Sequence, residues 1–85
     1  MPYIKGERRL AIKAGGLPET PGELNYKLTL DIIEYANVKG LNYTTINDIL
    51  GALRGCEMEF YGRIASKYEK GKKNENGDVY NDLRG

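Results

Sequence analysis

The chain has 85 residues, 13 basic against 12 acidic side chains, and a formal net charge of +1. That length gives one domain near the lower limit for a self-sufficient core, and the near-neutral charge argues against a dedicated electrostatic nucleic-acid binder. There is no histidine, and one cysteine and one serine, which excludes a cysteine metal framework, an internal disulfide and a serine hydrolase triad.

Residues 1–19 read as a basic arm, with Lys5, Arg8, Arg9 and Lys13. Ala14-Gly15-Gly16 and Leu17-Pro18 punctuate it. One or two helical turns are expected between Gly6 and Lys13.

Residues 20–38 read as a first helix. Thr20-Pro21-Gly22-Glu23 is a capping box, with proline at the first helical position where its missing donor is harmless. Leu24, Tyr26, Leu28, Leu30 and Ile32 alternate as in a strand. The preceding box and the continuation through Ile33, Tyr35 and Ala36 decide for a helix. At 100° per residue the apolar positions form two stripes, Leu24, Leu28, Ile32, Tyr35 and Ala36 on one side, Tyr26, Leu30 and Ile33 on the other. A helix apolar on two faces buries both, so one partner is expected within the chain and one in another subunit.

Residues 45–70 read as a second helix opened by a box at Thr45-Ile46-Asn47-Asp48. Ile46, Ile49, Leu50, Leu53, Cys56, Phe60, Ile64 and Ala65 recur at spacings of three and four, with Tyr61 and Tyr68 on the flank. Cys56 falls in this pattern and is expected to be a buried small hydrophobe. Gly51 and Gly55 suggest close helix approach. Residues 71–85 read as a polar tail with a turn at Asn76-Gly77 and anchors at Val79 and Tyr80. The short link from Lys39 to Tyr43 makes the two helices antiparallel neighbours. The expected fold is therefore all-α, an antiparallel helical hairpin with ordered arm and tail, assembled as a homo-oligomer.

Catalytic constellations are sparse. Without histidine the commonest general base and metal ligand are missing, and Glu57 and Glu59 lie about 200° apart on a helix. No enzyme, metal site or cofactor is expected. No apolar run has the length of a signal peptide or a membrane span, so a soluble intracellular protein without membrane contact is expected. Tyrosine beside arginine and lysine is the more suggestive chemistry, because phenols stack on bases and guanidinium groups fork onto phosphates. Tyr3, Arg8, Arg9, Tyr61, Arg63 and Lys67 are the candidate ligand-binding residues.

Five ordered segments carry a resemblance: MPYI at 1–4, PGELNY at 21–26, INDILGAL at 46–53, EFYGR at 59–63 and ENGDVY at 75–80. Together they resemble a family of small, uncharacterised tailed-phage proteins. The resemblance covers residues 1–80 and implies phage or prophage origin and a cytoplasmic setting in an infected bacterial host cell. It carries no catalytic residues. This chain departs from the family pattern at Gly62, where an arginine is expected, so Arg63 alone remains of an arginine pair. Gly71 and residues 81–85 also depart from it.

The expected function is a phage-encoded, non-enzymatic binding protein, an anti-defence sponge that sequesters a small anionic nucleotide signal in intersubunit grooves. The alternative is a protein–protein adaptor or inhibitor acting through an apolar helix face. A single-stranded nucleic-acid binder is the weakest reading, given the net charge of +1.

Overall fold

The structure is a computed structural model and describes residues 3–78, 80 and 83. Val79, one of the two expected tail anchors, lies outside the described residues. The described chain is helical: α1 spans Gly6–Lys13, α2 Pro21–Lys39 and α3 Tyr43–Phe60. A π-helical turn at Tyr61–Ala65 leads without a break into α4, Ser66–Asn76. No strand occurs among the described residues. The chain sorts into two compact units, residues 1–49 and residues 50–85.

In the first unit α1 packs on α2. The end of α1 is set by the glycine pair. Gly15 adopts φ 98°, a left-handed conformation that a side chain resists. Its N–H donates to Ile12 O, and the Gly16 N–H donates to Ala11 O at 2.8 Å, a Schellman closure. A Cβ on Gly16 would stand 2.8 Å from that same carbonyl oxygen, so the second glycine is required as well.

The start of α2 follows the expected box, with one variation. The Thr20 hydroxyl accepts from the Glu23 N–H at 3.1 Å. The Glu23 carboxylate reaches back past Thr20 and accepts from the Glu19 N–H, also at 3.1 Å. The helix ends at Gly40, whose N–H donates to Ala36 O. Among the described residues of this unit Ile12 and Tyr26 are the buried apolar side chains, and Glu23 and Thr45 are buried polar ones. The arm thus provides the cover for α2 at Tyr26. Along the rest of α2, Leu24, Leu28, Ile33, Tyr35 and Val38 remain exposed in the single chain.

The second helix starts earlier than expected. Asn42 Oδ1 accepts from the Thr45 N–H at 2.9 Å, and Asn42 O accepts from Ile46 N. Asn42 is the N-cap, and Thr45 is a buried residue of the first turn. Asparagine caps at least as well as threonine, and standing three residues upstream it closes the first turn before the Thr45 box can act. Replacing Asn42 by alanine is expected to lower the unfolding free energy by about 1 kcal/mol, read by thermal denaturation.

The expected tail is also partly helical. Gly71 does not end the helix, and residues 71–76 continue it until Gly77, at φ 88°. Lysine and glutamate are good helix formers, and an isolated glycine costs about 1 kcal/mol without stopping a helix. Cys56, expected to be buried, is exposed. The reason is common to the whole second unit: among its described residues none is buried.

The π-turn changes the phase of the helix. Seven residues return an α-helix to the same face within about 20°. A π-turn adds one residue, so the return across it takes eight. Tyr61 Oη donates to Glu69 Oε2 at 3.0 Å, eight residues away. Tyr61 therefore shares its face with Glu69, not with Tyr68 as seven-residue spacing suggested.

Candidate functional site

The six expected ligand-binding residues fall in both units, Tyr3, Arg8 and Arg9 in the first, Tyr61, Arg63 and Lys67 in the second. Arg8 is committed. Its Nε donates to Glu23 Oε2 at 3.0 Å and its Nη2 to Glu23 Oε1, a two-pronged pair with a buried carboxylate. Nη2 also donates to Leu17 O at 3.3 Å, and Glu19 Oε1 lies 3.6 Å away. The hydrogen bond to Arg8 holds the Glu23 carboxyl below its ordinary range against the opposing effect of desolvation. The same bond raises the Arg8 guanidinium above its own. A guanidinium so used fastens α1 to α2 and is removed from the ligand-binding set.

Arg9 turns the other way. Its Nε donates to Ile4 O at 3.1 Å, and its guanidinium lies 5.7 Å from the centre of the Tyr26 ring, within cation–π range. Tyr3 is exposed. Glu23, which ties together the helix start and the arm, was legible only as a cap. Its second role joins residues fifteen apart, where local spacing gives no signal.

In the second unit a groove of about 560 Å³ runs beside α4. Tyr61 and Tyr80 contribute phenol rings, Lys70, Lys72 and Lys73 contribute amines, and Ser66 and Asn76 add neutral polar groups. Glu69 and Asp78 also line it. The Tyr61 hydroxyl, bonded to Glu69, is raised above its ordinary range first by that hydrogen bond, so it stays protonated. Lys73 Nζ stands 3.7 Å from Asp78 Oδ2, and Lys72 Nζ donates to Glu75 Oε2 at 3.4 Å. Exposed pairs of this kind are worth little, so an incoming phosphate can exchange for the carboxylates.

Of the expected residues, Tyr61 lines this groove and Arg63 and Lys67 do not. Arg63 donates to Glu59 along its own helix at 3.3 Å. Lys67 is exposed on the flank of α4. Lys72, Lys73 and Tyr80 were missed because residues 71–85 read as tail, and Lys70 because it stood at the last position of the expected helix. Among the described residues no three histidine, cysteine, aspartate or glutamate side chains are grouped to hold a metal ion. Among the described residues no helix is long and apolar enough to cross a membrane.

A family model described as a domain of unknown function, DUF6899, matches residues 1–79. The chain belongs to the DUF6899 family. No curated protein and no solved structure matches it. The DUF6899 match takes in both the Arg8–Glu23 contact and nearly all of the groove, so the two units belong to a single family pattern.

Proposed function

We propose that this chain is a phage-encoded, non-enzymatic binding protein that assembles as a homo-oligomer and sequesters a small anionic nucleotide in the cytoplasm of the infected bacterium. The observation that carries the ligand class is the α4 groove, where Tyr61 and Tyr80 stand beside Lys70 and Lys73. Rings supply stacking surface and amines supply charge for phosphate. The oligomer is supported by the exposed apolar residues of α2 and α3, which exceed what a stable monomer leaves uncovered. The absence of histidine and the single serine fit a protein that holds its ligand unchanged.

Thermal-shift titration with cyclic dinucleotides, cyclic trinucleotides and ADP-ribose derivatives tests the ligand. At a hundredfold excess over Kd, stabilisation of about 2.7 kcal/mol is expected, a rise in Tm of roughly 10 °C or more for a domain of this size. Replacing Lys70 and Lys73 by alanine is expected to abolish that rise. No shift with any of these compounds overturns the sponge reading.

A second reading, an adaptor or inhibitor that binds a protein, is favoured by Leu24, Leu28, Ile33 and Val38, all exposed along α2. It predicts that a stoichiometric host or phage protein is retained by the wild-type chain and lost on replacing Leu28 by aspartate.

A further inference from the structure

The π-turn has a second effect, on the apolar side of the helix. Within the second unit, Leu53, Cys56, Phe60, Ile64 and Tyr68 follow one another at intervals of three, four, four and four. In an unbroken α-helix Phe60 and Tyr68 would lie about 80° apart. With one residue taken up by the turn, Leu53, Phe60 and Tyr68 become successive equivalents of one heptad position. Cys56 and Ile64 become successive equivalents of the other. The neighbouring Tyr61–Glu69 hydrogen bond, made eight residues apart across the turn, agrees with this phase. The result is a single straight seam of five side chains, and every one of them is exposed in the single chain.

Charge along the same helix is divided. Leu50 to Phe60 carries Arg54 against Glu57 and Glu59, and Tyr61 to Asn76 carries five basic residues against two glutamates. Two copies side by side in parallel would set acidic half on acidic half and basic half on basic half. Two antiparallel copies set each acidic half against a basic one, and flanking charges decide helix orientation in this way.

We propose that this seam pairs antiparallel with the same seam of a second copy, about a two-fold axis near Gly62. Phe60 then packs against Ile64 of the partner subunit, and Cys56 against Tyr68 of the partner subunit. Glu59, which flanks the seam, faces Lys67 of the partner subunit, and symmetry makes that contact twice. Lys67 is on this account an interface residue. The inference rests on the homo-oligomeric part of the proposed function and adds to it the face, the orientation and the register. It does not depend on any ligand.

Oxidative cross-linking of the full chain tests the orientation. In the antiparallel seam the two Cys56 sulfurs are far apart, so the wild-type chain gives no covalent dimer above the background of the unfolded chain. Replacing Tyr68 by cysteine places a sulfur opposite Cys56 of the partner subunit, and a covalent dimer is expected. Positions 56 and 68 of one helix are about 18 Å apart, too far for an internal bridge. A wild-type dimer linked through Cys56 means a parallel seam and overturns the proposal. Failure of the Tyr68→Cys chain to cross-link, with its helical circular dichroism intact, also overturns it.

Charge reversal supplies an independent reading. Glu59→Lys or Lys67→Glu alone is expected to weaken dimerisation about tenfold, and the two together to restore most of it. A double reversal no better than the singles removes the Glu59–Lys67 contact and with it the register. Nucleotide titration of the same variants separates the two readings. Seam pairing without nucleotide binding leaves this inference standing and removes the sponge, and nucleotide binding by a chain that proves monomeric does the reverse.

Discussion

Replacing Phe60 by aspartate is expected to dissociate the assembly and to unwind much of the helix from Leu50 to Asn76. Phe60 lies at the middle of the seam and is 63% exposed in the single chain. Covering a side chain of this size contributes about 1.5–3 kcal/mol, and a symmetric pair covers two. Aspartate forfeits both contributions and strands a charge against apolar neighbours. The dimerisation constant should therefore fall about a thousandfold or more, read by sedimentation equilibrium across a concentration series. Helix content should fall with it, because the second unit has no buried side chain among its described residues to hold a lone helix together. Met58 is the control. It is equally exposed but lies off the seam, so Met58→Asp should leave both association and circular dichroism near wild type. Equal effects at 58 and 60 would mean that general hydrophobicity, not this seam, drives association.

The second large effect is expected at Arg8. Its replacement by alanine leaves the Glu23 carboxylate buried without its cation, and a stranded buried charge is among the more damaging losses. α1 should then leave α2, and tryptic cleavage after Arg9 and Lys13 should quicken about tenfold or more as the arm opens. The same contact makes docking sensitive to acid. Glu23 has a folded pKa held below its ordinary value, so the folded chain binds protons less readily than the unfolded one. The stabilisation is complete above the ordinary carboxylate range and is lost as pH falls through the depressed value. The Ile12 methyl resonance reports docking, since Ile12 is the buried side chain of α1. It should move toward its unfolded position in acid. In Glu23→Gln it should show weaker docking at neutral pH and no such titration. An Ile12 resonance that titrates unchanged in the glutamine variant would assign the acid transition elsewhere.

What could be read from residue order was local. Thr20 and Pro21 announced α2 because a cap and its N–H groups lie within four residues of each other. The glycine pair at 15 and 16 announced the end of α1 for the same reason. At the next helix the same logic misplaced the start, since Asn42 and Thr45 are both competent caps and the upstream one acts first. The Arg8–Glu23 pair could not be read, because each residue already had a satisfactory local role: basic arm for one, capping box for the other. The groove was half legible. Tyr61 stood out in a basic helical stretch, whereas Lys73 and Tyr80 were hidden in a segment whose polarity resembled a tail, and Lys70 closed the expected helix without a local signal for binding. The π-turn had no signature at all, and it is the π-turn that reassigns which tyrosine faces which neighbour.

That turn also governs how the chain tolerates changes in length. Between Leu50 and Asn76 a one-residue insertion or deletion elsewhere would rotate every downstream side chain by about 100°, scattering the apolar face and the groove together. Within Tyr61–Ala65 the surplus residue is already stored. A relative one residue shorter at this point would present the same face as a plain α-helix, with Ile64 and Tyr68 in place. Gaps in this region are therefore neutral to the surface, and numbering, not geometry, is what shifts.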